Sequence, residues 1–161
     1  PREGNQGWAP RCVGQIIINN THSTVLAALL DLGVSSIRLT NRSPQRALDL
    51  AAEFGSTVTA VPWAERSEML DGCDTLVNGT SLGMTGNPAL DIDLTRLPAD
   101  AVVNDLVYAP LETPLLAQAR ARGNTCVDGL GMLLHQAAPG FARWFGQTPV
   151  VDDDLRQAVL A

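Results

Sequence analysis

Two rhythms of apolar and polar positions run through this chain. Val13–Ile18 is a short, largely β-branched run followed by polar residues. Val25–Leu32 then repeats its apolar positions at helical spacing up to Gly33, a residue suited to the left-handed turn that ends a helix. Ser36–Thr40 is a second compact strand-like run. Pro44–Phe54 is helical again, with Pro44 in the first turn, where a missing N–H is no loss, and Gly55 as its stop. Thr57–Val61 completes a β-α-β-α-β series, whose short spacing favours a parallel sheet with right-handed crossovers.

The second half continues the alternation. Thr75–Asn78 and Ala101–Asn104 are apolar runs that end at Asn, each followed by a loop of polar and small residues. Thr113–Arg122 reads as a helix and Thr125–Val127 as a last strand. Over Gly129–Gly146, Leu130, Leu133, Leu134, Ala137, Ala138, Phe141 and Phe145 recur at helical spacing. Pro139-Gly140 interrupts them and predicts a kink or a break into two helices. Asp152–Leu160 opens with three acids that suit the positive end of a helix dipole. The pattern predicts an α/β fold, a Rossmann-like doubly wound parallel sheet with C-terminal helices.

Composition narrows the partners. The 161 residues, 45% hydrophobic and 17% charged, suit one globular domain with a real core rather than a disordered chain. A formal net charge of −6 argues against nucleic acid or an anionic membrane as the main partner. Cys12, Cys73 and Cys126 are odd in number and widely separated, which suits neither a disulfide framework nor a zinc site; thiols in a reducing compartment are expected. His22 and His135 have no second metal ligand at a useful spacing, so no metal is expected. No apolar run is long enough to span a bilayer, and Pro1–Pro10 lacks the order of a signal peptide. The expected location is the cytoplasm.

In an open parallel sheet, ligands sit beyond the carboxyl ends of the strands. Asn19–Thr24, Asn41–Arg46, Asn78–Met84, Asp105–Tyr108 and Asp128–Gln136 all follow such ends. After the second strand, dinucleotide-binding folds often place an acid that accepts from a ribose 2′-hydroxyl, whereas an arginine suits a 2′-phosphate. Here Asn41, Arg42 and Ser43 stand at that point, with Arg46 one helical turn on, which points to NADP rather than NAD. By composition alone, Arg42 and Arg46 read equally as solvated surface arginines; their placement favours the phosphate. The first loop is less favourable. Asn19–Thr24 contains no glycine, so side chains stand where a pyrophosphate usually meets backbone N–H groups, and a weakened grip is expected.

From Ala27 to Leu160 the chain resembles the cofactor domain of the shikimate dehydrogenase family. The resemblance is carried by Asn41-Arg42-Ser43-Pro44-Gln45-Arg46, by the Val77–Met84 and Asp105–Leu116 segments, and by Gly129-Leu130-Gly131-Met132-Leu133-Leu134-His135-Gln136-Ala137. The Asn-Arg-Ser turn alone would be shared with glutamyl-tRNA reductases; the Gly131–Gln136 segment resembles only the shikimate group. The resemblance implies that Asn41, Arg42, Ser43 and Arg46 hold the adenosine 2′-phosphate. It implies that Thr80, Ser81, Leu82 and Met84 line the cofactor channel, with Val107, Gly129 and Met132 near the nicotinamide. Tyr108 would sit in the cleft on the substrate side, and Gln136 would reach a hydroxyl of shikimate. By residue type alone, Met132 and Gln136 read as plain core and plain helix surface.

Two departures stand against this pattern. The family's catalytic lysine and its partner aspartate belong to a separate N-terminal substrate domain, and this chain contains no lysine at all. The family's glycine-rich loop is replaced by Asn19–Thr24, and residues 1–24 resemble nothing in the family; a truncated, engineered or shifted-frame N-terminus would explain both. The expected organisation is an atypical segment over residues 1–24, a Rossmann-like NADP-binding body over 25–128, and C-terminal helices of the same domain over 129–161. The expected function is that of the NADP-binding domain of an enzyme that reduces 3-dehydroshikimate to shikimate, inactive as an isolated chain and homo-oligomeric. The alternative is a truncated or engineered Rossmann domain that acts as a weak nucleotide-binding or self-associating module.

Overall fold

The computed structural model describes the backbone of residues 13–18 and the whole of residues 23–161. Six strands are described: β1 (Val13–Ile18), β2 (Ser36–Thr40), β3 (Val58–Val61), β4 (Thr75–Gly79), β5 (Val102–Asp105) and β6 (Thr125–Val127). All neighbouring pairs are parallel, in the order β3-β2-β1-β4-β5-β6. The order reverses between β1 and β4, which creates the crevice where such sheets take ligands. The helices are α1 (Ser23–Asp31), α2 (Pro44–Phe54), α3 (Pro114–Ala121), α4 (Leu130–Phe145) and α5 (Asp153–Leu160). These bounds lie within one or two residues of those expected from periodicity.

Alternation along β4 divides the core. Leu76 belongs to one buried cluster, with Leu82, Leu94, Val103, Leu115 and Leu116; its neighbour Val77 belongs to another, with Leu26, Ile37, Leu39 and Val58. Successive strand residues face opposite sides, so the two clusters cover the two faces of the sheet. The first lies toward β4–β6 and α3, the second toward β1–β3, α1 and α2.

Two features of α4 stand out. It does not break at Pro139-Gly140 but runs unbroken through Pro139 for 16 residues. Proline frees the carbonyl of residue 135, and since His135 and Pro139 are both exposed, water can satisfy it. Its apolar stripe is also mostly unburied. Leu130 is buried, whereas Phe141, Trp144 and Phe145 are 42%, 80% and 65% exposed. Phe141 and Phe145 pack on each other, with ring centroids 4.5 Å apart. Of the cysteines, Cys73 is buried and Cys126 partly so, and neither is in a disulfide; Cys12 lies outside the described residues.

Candidate functional site

The strand register lines up the candidate segments. Thr40 and Asn78 both pair with Ile17, Val61 pairs with Thr40, and Asp105 pairs with Asn78. Val127 pairs with Asn104, which brings Asp128 level with Asp105. The residues after these ends therefore share one edge of the sheet. Of the glycine-free loop expected at Asn19–Thr24, residues 19–22 lie outside the described residues.

At the β2 end the chain turns on Asn41. This residue is buried, and its Oδ1 accepts the Ser43 N–H at 2.9 Å, so the side chain itself shapes the turn. Its Nδ2 is buried without a partner among the described residues, as is the Thr40 Oγ1. Ser43 is the N-cap of α2 in extended conformation, but its hydroxyl makes no capping hydrogen bond, so first-turn N–H groups of α2 stay available. Arg42, Ser43 and Arg46 are exposed around that helix start. The turn thus joins a helix N-terminus to two arginines, a combination suited to an anion.

At the β4 and β5 ends a buried network holds the chain. Asn78 Nδ2 donates to Asp105 Oδ1 at 2.9 Å and to the Leu82 carbonyl at 3.2 Å. Asn78 Oδ1 accepts from the Thr80 N–H and hydroxyl, at 3.0 and 2.7 Å, and Thr80 Oγ1 accepts the Leu82 N–H at 3.0 Å. Asp105 Oδ1 also accepts the Val107 N–H at 3.0 Å, and its Oδ2 accepts the Thr113 hydroxyl at 2.6 Å. Burial raises the Asp105 pKa above its ordinary 3.8; the hydrogen bonds from Thr113, Val107 and Asn78 pull the other way. One carboxylate therefore ties the 80–82 loop, the 105–107 turn and the start of α3 together.

The implied channel residues divide by environment. Thr80, Leu82 and Val107 are buried: the Thr80 hydroxyl is engaged in the network and Leu82 belongs to the core. Ser81, Tyr108 and Gln136 are exposed, and Met84 and Met132 are partly buried. Buried Gly129 is placed for a steric reason. A Cβ there would lie 2.3 Å from the Leu106 carbonyl oxygen and 2.7 Å from that of Val107, and the Gly129 N–H donates to the Val107 carbonyl at 3.2 Å. Only glycine lets α4 start this close to the β5 end. Sequence reasoning placed Asn78 and Asp105 within candidate segments and Thr113 within the Asp105–Leu116 segment, but gave none of them a role. The signal available was a polar residue closing an apolar strand, which predicts a buried polar group in need of partners.

A separate cavity of about 230 Å³, lined by Leu111, Glu112, Leu116, Arg120, Cys126 and Asp128, opens beside α3 and β6. It contains none of the candidate nucleotide residues. Among the described residues no group of three or more acidic, His or Cys side chains could hold a metal. Nor is any described helix long and apolar enough to cross a membrane.

An all-parallel sheet in this order, with its turns gathered at one edge, defines a doubly wound α/β domain of the dinucleotide-binding type. Residues 129–160 match the model of the shikimate 5′-dehydrogenase C-terminal domain. The shikimate dehydrogenase (NADP(+)) of Paramagnetospirillum magneticum is 57% identical over 162 residues, covering 99% of this chain and 59% of that protein. That of Dinoroseobacter shibae is 51% identical, covering 99% of this chain and 58% of its own length. Along 99% of its length the chain is similar to shikimate dehydrogenases, and it matches their C-terminal domain. It spans about three-fifths of the length of these relatives. Coverage of 99% takes in most of residues 1–24, the stretch that motifs alone had left outside the resemblance.

Solved structures agree on the fold. Quinate dehydrogenase from Corynebacterium glutamicum, in complex with NAD, superposes with a TM-score of 0.80 at 30% identity, over 91% of this chain and 55% of that one. Shikimate 5-dehydrogenase from Thermus thermophilus, in complex with NADP(H) and shikimate, gives 0.71 at 34% identity, over 86% and 51%.

Proposed function

We propose that this chain is the NADP-binding domain of a shikimate dehydrogenase, an enzyme that reduces 3-dehydroshikimate to shikimate. The observation that carries the reading is the Asn41–Arg46 turn: a buried amide donor without a partner among the described residues, beside two exposed arginines at the start of α2. Neither arginine has a carboxylate partner among the described residues. NADPH, when bound, supplies the hydride. Arg42 and Arg46 hold the 2′-phosphate, Ser43 contributes its hydroxyl, and Asn41 keeps the turn in shape. Across the crevice, Gly129 and Met132, with the backbone of the 80–84 and 107–108 segments, receive the nicotinamide half. Exposed Tyr108 and Gln136 face the substrate.

The chain alone does not turn over. It has no lysine to manage the hydroxyl proton, and both Asp105 carboxylate oxygens already accept hydrogen bonds. Purified chain is expected to show no NADP-dependent oxidation of shikimate; robust turnover would overturn that part. Calorimetric titration tests the pocket. Arg42→Ala is expected to weaken NADP binding about tenfold, or ~1.4 kcal/mol, and to leave NAD binding unchanged. An unchanged NADP affinity would sink the phosphate contact.

Exposed Phe141, Trp144 and Phe145 favour a second property, self-association through the C-terminal helices. Sedimentation is expected to show concentration-dependent dimers. Thiols outside disulfides and the acidic charge suit a cytoplasmic protein.

A further inference from the structure

Asp128 lies between β6 and α4, and its two carboxylate oxygens serve different elements. Oδ1 accepts the Leu130 N–H at 3.0 Å, one of the first-turn donors that α4 cannot satisfy by itself. Oδ2 accepts from Arg156 Nη2, 28 residues further along, in α5. Both side chains of this ion pair are largely shielded, at 24% and 29% exposure, unlike the Arg120–Glu112 pair at 65% and 58%. Solvent therefore screens the Arg156 pair less.

α5 has little else to hold it. None of its residues is buried, and Val159 and Leu160 are 53% and 44% exposed. Its Asp152 cap satisfies its own Leu155 N–H. At the other end of the chain of contacts, Gly129 follows Asp128 directly and meets the Leu106 and Val107 carbonyls with no space for a Cβ. Movement of Asp128 is thus transmitted to Gly129 and to the first turn of α4.

We propose that Arg156 is a positioning residue for the nucleotide site. Through Asp128 it holds the start of α4, and with it Gly129, at its depth against Leu106–Val107. This rests on the reading of the site given above, in which Gly129 and Met132 flank the nicotinamide half of NADP. Release of Arg156 then loosens the nicotinamide end of the site and leaves the adenosine end, at Asn41–Arg46, as it was.

The test compares the full chain with its Arg156→Ala and Arg156→Lys variants by amide hydrogen exchange and by titration with NADP and with adenosine 2′,5′-bisphosphate. In Arg156→Ala, exchange at Leu130–Leu133 is expected to rise about tenfold while that of Ser36–Thr40 stays constant, the local loosening expected on losing one charge-assisted hydrogen bond. NADP is expected to bind roughly three- to tenfold more weakly, with the bisphosphate unchanged and partial rescue by lysine. Unchanged exchange at Leu130–Leu133 overturns the proposal, as does equal weakening of both ligands, which marks a general loss of structure. If the unsubstituted chain binds no bisphosphate, the nucleotide reading fails, and the exchange result alone decides whether Arg156 holds α4. Should Arg156→Ala not fold, Asp128→Asn discharges the pair, keeps the Oδ1 acceptor, and supplies the same readouts.

Discussion

At the β4–β5 end of the sheet edge, Asn78, Thr80, Asp105 and Thr113 satisfy one another, and each side chain has its partners inside the protein. At the β2 end, Asn41 keeps a buried Nδ2 without one among the described residues, and Arg42 and Arg46 are exposed. Both regions sit beyond strand ends in the same fold, yet one is closed and the other open. A buried donor left unmet costs about 1–3 kcal/mol, so the closed network is where stability resides. Among the described residues, the donors and positive charge of the open turn are left unmatched. A single sheet edge thus carries a closed scaffold at one end and an open turn at the other.

Substitutions can break this contrast. Asp105→Ala is expected to have the largest effect, about 3 kcal/mol or more in urea unfolding, because it strands the Asn78 amide, the Val107 N–H and the Thr113 hydroxyl together. Gly129→Ala comes next, at about 1–3 kcal/mol, since its Cβ cannot fit against the Leu106 carbonyl without a backbone shift. It should also weaken NADP binding, which titration would show. The Arg42→Ala/Arg46→Ala pair marks the small end. Its stability should stay within about 0.5 kcal/mol of the parent, because surface substitutions away from such networks change little. A large loss there would mean that the turn is scaffold after all.

A pH series sharpens the comparison further. Burial raises the folded-state pKa of Asp105 above 3.8, so the folded protein holds this proton more tightly than the unfolded chain. Its contribution is therefore fully present below the unfolded value and is lost as pH rises through the raised folded value. Asp105→Asn, which cannot ionise, should lack that part of the slope. Equal slopes in the two proteins would show that another group governs the window.

The candidate site was unevenly legible. The Asn41–Arg46 turn could be read because its parts are neighbours in sequence: a strand, an asparagine suited to the turn, and a helix opened by Pro44. The role of Asp105 could not be read in that way. Its partners Asn78 and Thr113 lie 27 and 8 residues away, and only pairing of β4 with β5 brings the first of them within reach. The resemblance implied that Thr80, Leu82 and Val107 line the cofactor site, and it gave no sign that their side chains are buried. Of the kink or break expected at Pro139, the break does not occur, because an exposed helix face lets water replace the lost hydrogen bond.

By itself the sequence determined the rhythm of strands and helices, the Asn-Arg-Ser turn and the family resemblance, since each is written in neighbouring residues or in periods of two and 3.6. Tertiary structure decided which polar groups close on one another, how near Gly129 comes to β5, and that α5 meets Asp128 through Arg156. It also decided that most of the α4 stripe stays open. The physical reason is one of range. Periodicity states which face of an element is apolar, but what that face meets depends on residues brought together only by the crossing of the chain.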